Sequence, residues 1–124
     1  MKNLLTILFL LMSFIFIFIF SCSKSNKDKV IGLWERKPQN TTEKYIAYSF
    51  EEDDNVLKVT EDGKKYKFGE GAKYSSDTYP IKMQVNMTPG HTSNFNVKFL
   101  DDETISIQSE NPGDPEIIFT KKKE

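Results

Sequence analysis

An antiparallel meander of eight or nine short strands, forming a small closed or nearly closed barrel, is the all-β fold that the sequence predicts for residues 30–124. Three observations predict it. Apolar and polar residues alternate with period two, turn-forming residues interrupt the alternation at short intervals, and no segment of ten or more residues carries helical periodicity. A meander with one apolar and one polar face leaves unpaired edges unless it closes, so a barrel is the economical arrangement.

Val30 to Arg36 is the expected first strand, ended by Pro38. Lys44 to Phe50 follows, with Ile46, Tyr48 and Phe50 on one face. Glu51 to Asn55 is rich in residues that resist strand structure and turns the chain. Val56 to Thr60 comes next, with Leu57 and Val59 expected inward. Asp62-Gly63 suits a type I′ hairpin, whose two central residues need positive φ. Lys65 to Phe68 then pairs back, with Tyr66 and Phe68 inward.

Gly69-Glu70-Gly71 breaks the pattern before a short strand around Ala72 to Ser75 and a turn at Ser76-Asp77-Thr78. In the clearest strand Ile81, Met83, Val85 and Met87 alternate with Lys82, Gln84, Asn86 and Thr88. Pro89-Gly90 fits the centre of a type II turn. Asn94 to Leu100 repeats the alternation with Phe95, Val97 and Phe99 inward, and Asp101-Asp102-Glu103 turns the chain. Ile105 and Ile107 continue the apolar face, Asn111 to Pro115 turns again, and Glu116 to Thr120 closes the domain.

Residues 1–21 differ in kind: they hold five of the ten Phe and a single charge, Lys2. The other 103 residues carry 16 basic and 18 acidic side chains, and that balance argues against nucleic acid as a partner. Cys22 is the only cysteine, so no internal disulfide forms and packing must hold the fold. Met1-Lys2-Asn3 is a short positive segment, and Leu4 to Phe20 is apolar apart from Thr6 and Ser13, the layout of a secretory signal peptide. Read instead as a membrane span, those 17 residues reach roughly 25 Å against a ~30 Å hydrocarbon core, and Cys22 becomes an ordinary thiol beside them.

The stretch Ile19-Phe20-Ser21-Cys22 resembles the lipobox of bacterial lipoproteins, in which a branched apolar residue and a small residue stand three and one places before a lipidated Cys. Its bulky Phe20, and Ile19 in place of the commoner Leu, resemble the relaxed lipoboxes of spirochaete lipoproteins. The resemblance implies cleavage after residue 21, diacylglycerol and further acyl chains such as palmitate on Cys22, and a protein held at a membrane of the cell envelope. At ~0.8 kcal/mol per buried CH₂, such an anchor is effectively permanent. Ser23, where an Asp would mark inner-membrane retention, points to the outer membrane. Residues 22–29 hold no apolar side chain beyond the anchor residue and are expected as a flexible tether of roughly 15 Å.

A second resemblance rests on Gly32-Leu33-Trp34 near the first strand, followed by successive hairpins and a terminal strand with Ile117 and Phe119. This is similar to the small lipocalin-like barrels, whose first strand carries Gly-x-Trp, and it covers most of residues 30–121. In that family a distant Arg stacks on the Trp. Arg36, the only arginine, lies two residues away, so a Lys would have to take that place.

For function, Trp34 is either a cavity wall or a cap on the barrel floor, and the cap is preferred because Trp buries a large area wherever it closes an end. The stripe Ile81, Met83, Val85, Met87 is either a ligand-facing wall, which adaptable methionines suit, or ordinary core, the better prior. Glu51 to Asp54 lacks the spacing of a Ca²⁺ loop and reads as a solvated turn. His91, the only histidine, has no evident nucleophile or orienting partner and reads as an exposed loop residue. No phosphate loop, metalloprotease motif or nucleophile elbow occurs, so the expectation is a protein without enzymatic activity, cofactor or metal.

In a strict meander the acidic turns at 51–54 and 101–103 fall at the end where the first strand begins. The loops 37–43, 61–64, 88–92 and 109–116 fall at the other, which is nominated as the contact face because loops on a rigid scaffold carry recognition. Trp34, Met83, Met87, Pro89, Gly90, His91 and Phe95 are the nominated contact residues. The expected role is a non-catalytic binding module for a protein or a small apolar ligand. The alternative is a structural or inhibitory envelope protein resembling the small β-barrel lysozyme-inhibitor lipoproteins, whose inhibitory motif and disulfides are missing here. A cavity of about 300 Å³ lined by Met83 and Phe95 would favour the ligand.

Overall fold

The computed structural model describes residues 3–10 and 24–123. Ile19 to Cys22, including the expected lipidation site, lies outside them. Residues 3–10 are helical and expose Leu4, Leu5, Ile7, Leu8, Phe9 and Leu10. Among the described residues no helix is long and apolar enough to cross a membrane.

A short helix, Asn26–Val30, leads into nine strands: β1 Gly32–Arg36, β2 Ile46–Phe50, β3 Val56–Val59, β4 Lys65–Lys67, β5 Ala72–Ser75, β6 Ile81–Thr88, β7 His91–Asp101, β8 Thr104–Ser109 and β9 Ile117–Lys122. All belong to one antiparallel sheet in the order β4-β3-β2-β1-β9-β8-β7-β6-β5. The fold is thus the expected all-β meander, with its first and last strands paired. The ladder does not close, because β4 and β5 are not hydrogen-bonded neighbours. Its ends meet instead at one antiparallel bridge between Asn55, just before β3, and Lys73 of β5, beside a Tyr74 N–H to Asp54 carbonyl bond of 2.9 Å. Both β4 and β5 therefore run antiparallel to β3, as one strand interrupted at residues 68–71.

Gly69 makes that interruption possible. Its φ is +57°, and a Cβ there would lie 2.6 Å from the Asn86 carbonyl oxygen, a contact that no L side chain tolerates. The backbone of β6 consequently packs directly against the break, with Glu70 N–H donating to Asn86 O and Asn86 N–H to Gly71 O.

One face of the curled sheet encloses the main core, in which Trp34, Phe50, Phe119, Ile81, Met83 and Ile105 are fully buried. Each such side chain contributes roughly 1.5–3 kcal/mol by leaving water. On the other face Leu33, Ala47 and Val59 form a small second cluster against Tyr45.

Several expectations need correction. Residues 26–29, read as tether, form most of the short helix, because the Ser25 hydroxyl caps it by accepting from Asp28 N–H at 3.1 Å and Val30 is buried beneath the sheet. The first strand consequently starts at Gly32. In β3 the faces are inverted. The register pairs Phe50 with Val56 and Ser49 with Leu57, so Val56 enters the main core while Leu57 and Val59 face outward. Tyr66, expected inward, is 52% exposed, because three-residue β4 lies at the edge with no strand covering it.

Met87 is 48% exposed instead of core, since a register shift between Asn86 and Thr88 turns it off the apolar stripe. His91 is exposed, but it opens β7 opposite Thr88 and does not sit in a loop. At Asp62-Gly63 only Gly63 has positive φ, at 89°, and its N–H donates to Thr60 O at 2.9 Å. The glycine thus follows a Glu61-Asp62 turn and does not share a type I′ pair.

Candidate functional site

The antiparallel order fixes two ends. Turns 51–55, 76–80 and 102–103 lie with the short helix where β1 begins, and loops 37–45, 60–64, 89–90 and 110–116 lie at the opposite end. The first end is a floor. Trp34 is fully buried there, and its indole Nε1 donates to the Val30 carbonyl at 2.8 Å, tying β1 to the helix. Lys121, which pairs with Trp34 in register, places its ammonium 5.5 Å from the centre of the Trp ring. Gly32 is what allows this. At φ +134°, an added Cβ would press to 3.2 Å from the Lys121 Cε, so a side chain there would displace the lysine. Lys27 clamps the helix to the acidic turn through Asp54 at 2.9 Å.

Tyr74 completes the floor. Its hydroxyl donates to the Glu51 carbonyl at 2.6 Å, and burial, followed by the charges of Asp54, Asp53, Glu51 and Glu52, pushes its pKa up to about 12.

The other end is a mouth. Between β2, β6, β7, β8 and β9 the core leaves a hollow of about 210 Å³ lined by Tyr48, Met83, Phe95, Ile107, Ile117 and Phe119, with Ser109, Asp114 and Pro115 at its lip. The register explains why these residues meet. Met83 pairs with Phe95, Phe95 with Ser109 and Ile107 with Ile117, so every lining side chain stands on the inner face of adjacent strands. Tyr48 stacks on Phe68 with centroids 4.9 Å apart and tilts against Phe119 at 5.4 Å. Burial raises the pKa of its hydroxyl, which stays neutral across the physiological range. The 110–116 loop, which supplies Asp114 and Pro115 to the lip, carries Pro112 and Pro115 and is held by Gln108 Nε2 donating to the Asp114 carbonyl at 3.3 Å.

Of the residues singled out from sequence, Met83 and Phe95 line this hollow. Trp34 serves the floor, the alternative preferred for it. Pro89, Gly90 and His91 form the tip of the β6–β7 hairpin at the mouth end, beside a separate shallow depression with Glu70 and Asn86, and Met87 is exposed nearby. Tyr48, Ile107, Ile117 and Phe119 were legible only as core, whereas Ser109, Asp114 and Pro115 belong to the 109–116 loop of the nominated contact face without being singled out. Strand parity pointed to that loop, and its two prolines stiffen it, but neither signal records a hollow beneath it.

A larger hollow of about 500 Å³ lies at the floor end, but Lys24, Asp28, Lys29, Asp101, Asp102 and Lys121 line it with Phe99 and Leu100, so it is a charged surface groove. On the outer face Tyr45 donates to Glu35 at 2.8 Å, with Lys37 and Lys122 at 3.8 and 3.9 Å from the same carboxylate. Burial, the Glu35 hydrogen bond and the charges of Glu35 and Glu61 push Tyr45 to about 12. That network satisfies a buried carboxylate on a sheet surface, and no nucleophile accompanies it. Among the described residues no group of acidic, His or Cys side chains is placed to hold a metal. Compared with known protein families, curated proteins and solved structures, the chain matches none of them.

Proposed function

We propose that this protein is a lipid-anchored envelope lipoprotein whose domain is a nearly closed, lipocalin-like barrel that holds a small apolar ligand without catalysing a reaction. The observation that carries the ligand is the 210 Å³ apolar hollow at the mouth. It is smaller than the roughly 300–1,000 Å³ of drug-sized sites. A dry cavity of ~150 Å³ nonetheless holds benzene, so the matching ligand is about one ring or a short alkyl chain.

Counting β4 and β5 as one interrupted strand gives an eight-stranded barrel, and eight strands leave an interior just wide enough for side chains or one small ligand. The lipocalin likeness is supported by Gly32-Leu33-Trp34 and by Lys121 over the Trp ring in the place of the family's Arg. The anchor rests on Ile19-Phe20-Ser21-Cys22 and on the exposed apolar side chains of helical residues 3–10, which suit a lipid environment. The outer membrane is the proposed location.

The ligand is tested by titrating the full chain with indole while following methyl NMR signals. Met83, Ile107 and Ile117 should shift and Val30 should not, and Ser109→Trp, which plugs the lip, should abolish the response. Equal shifts in the plugged variant would sink the pocket as the binding site. The anchor is tested by Cys22→Ser, which should leave the protein in the aqueous phase of a detergent partition or unprocessed. A variant that partitions and migrates as the parent does would disprove lipidation at Cys22.

A further inference from the structure

The lip of the hollow is not neutral. Asp114, Ser109 and the phenol-bearing Tyr48 are the polar residues that line the hollow, and no lysine or arginine does. Two further carboxylates, Glu110 and Glu116, belong to the same 110–116 loop. Glu110 is neutralised by Lys82 at 3.0 Å, whereas the Asp114 carboxylate has no cation partner among the described residues. The other basic groups on the inner face near the mouth are engaged: Arg36 pairs with Glu43 at 2.8 Å, and the Lys58 ammonium sits over the Phe68 ring at 5.6 Å, outside the lining. Below the lip, three aromatic rings, Tyr48, Phe95 and Phe119, form much of the wall. Ring faces carry negative potential and attract cations, and a water-poor wall strengthens that attraction.

From this arrangement we propose that the ligand is a small organic cation: an apolar body about the size of one ring, seated among Tyr48, Met83, Phe95 and Phe119, with an amine or methylated ammonium at the lip facing Asp114. The inference rests on the hollow being a ligand site and adds the charge of what fills it. An apolar body alone would gain only its burial. An ammonium at the lip would add a charge-assisted contact to the carboxylate and the ring faces while keeping part of its hydration. A carboxylate-bearing ligand would meet Asp114 as a like charge.

Three ligands of nearly equal shape test this on the full chain by calorimetric titration: 2-phenylethylamine, 2-phenylethanol and 3-phenylpropanoate. The amine should bind about tenfold tighter than the alcohol and the carboxylate weakest, a tenfold preference corresponding to about 1.4 kcal/mol. Asp114→Asn, an exposed loop substitution, should bring amine and alcohol level, and raising the salt concentration should narrow the gap in the parent. Equal binding of amine and alcohol, tighter binding of the carboxylate, or an amine preference that survives in Asp114→Asn would each overturn the cation proposal while leaving the pocket standing. Binding of none of the three would remove the pocket reading as well.

Discussion

The two ends of this sheet are built from similar side chains and finished differently. At the floor the largest ring, Trp34, has its only polar atom satisfied by the Val30 carbonyl, a cation above it and a helix beneath it. At the mouth three smaller rings, Tyr48, Phe95 and Phe119, line a hollow whose lip includes Asp114 and Pro115 of a proline-bearing loop. The difference teaches that burial and filling are separate properties. Phe119 is nearly as buried as Trp34, yet it lines a hollow. If the hollow is a binding site as proposed, the floor should carry more of the stability than the mouth.

The largest expected effect comes from breaking the floor. Trp34→Ala should lose roughly 3–5 kcal/mol, or fail to fold, in chemical denaturation. A loss below about 1 kcal/mol would mean that the floor is not the stable end. The paired substitutions Ile105→Ala and Ile117→Ala sharpen the contrast. The first, at a fully buried floor position, should cost roughly 2–5 kcal/mol, and the second, half-buried at the mouth, markedly less. Equal costs would erase the distinction.

Gly32→Ala should cost about 1–3 kcal/mol, because it combines a disfavoured φ with pressure on the Lys121 stem. Lys121→Met should cost less, about 0.5–1 kcal/mol of thermal stability, and should change the Trp34 fluorescence.

A pH series adds a further test of the floor. The folded pKa of Tyr74, about 12, lies above its ordinary value of 10, so the neutral hydroxyl is the form that the fold favours. Its contribution is complete below pH 10 and is lost as the pH rises through about 12. Tyr74→Phe should therefore flatten the alkaline fall in stability between pH 10 and 12. An unchanged slope would mean that other groups cause it.

The strands with clean alternation were readable from the sequence, β6 above all, because a half-buried strand writes its two faces as period two. Where Val56-Leu57-Lys58-Val59 offered apolar residues to both faces, the pattern gave the wrong side. Only pairing with Phe50 decides the register. The helix was hidden because Asn26 to Lys29 has no apolar residue, and its stability comes from the Ser25 cap, the Lys27 clamp and burial of Val30. Of the seven nominated contact residues, four (Met87, Pro89, Gly90 and His91) lie on the β6–β7 hairpin at the mouth end, and only Met83 and Phe95 line the hollow itself. A cavity is a relation among residues far apart in sequence, and no local pattern records the volume that they leave unfilled.

The pairing of β1 with β9 has a consequence for the order in which the molecule comes together. Thr120 reaches back 85 residues to the Glu35 carbonyl, so this seam joins the most distant parts of the domain. Contacts that close so long a loop form late and slow the folding of β proteins. Until Ile117 to Lys122 has been made, β1 and β8 each present a bare edge, and any chain cut before that point would carry two strands ready to pair with a neighbour. The last six-residue strand therefore acts as the fastening of the whole sheet.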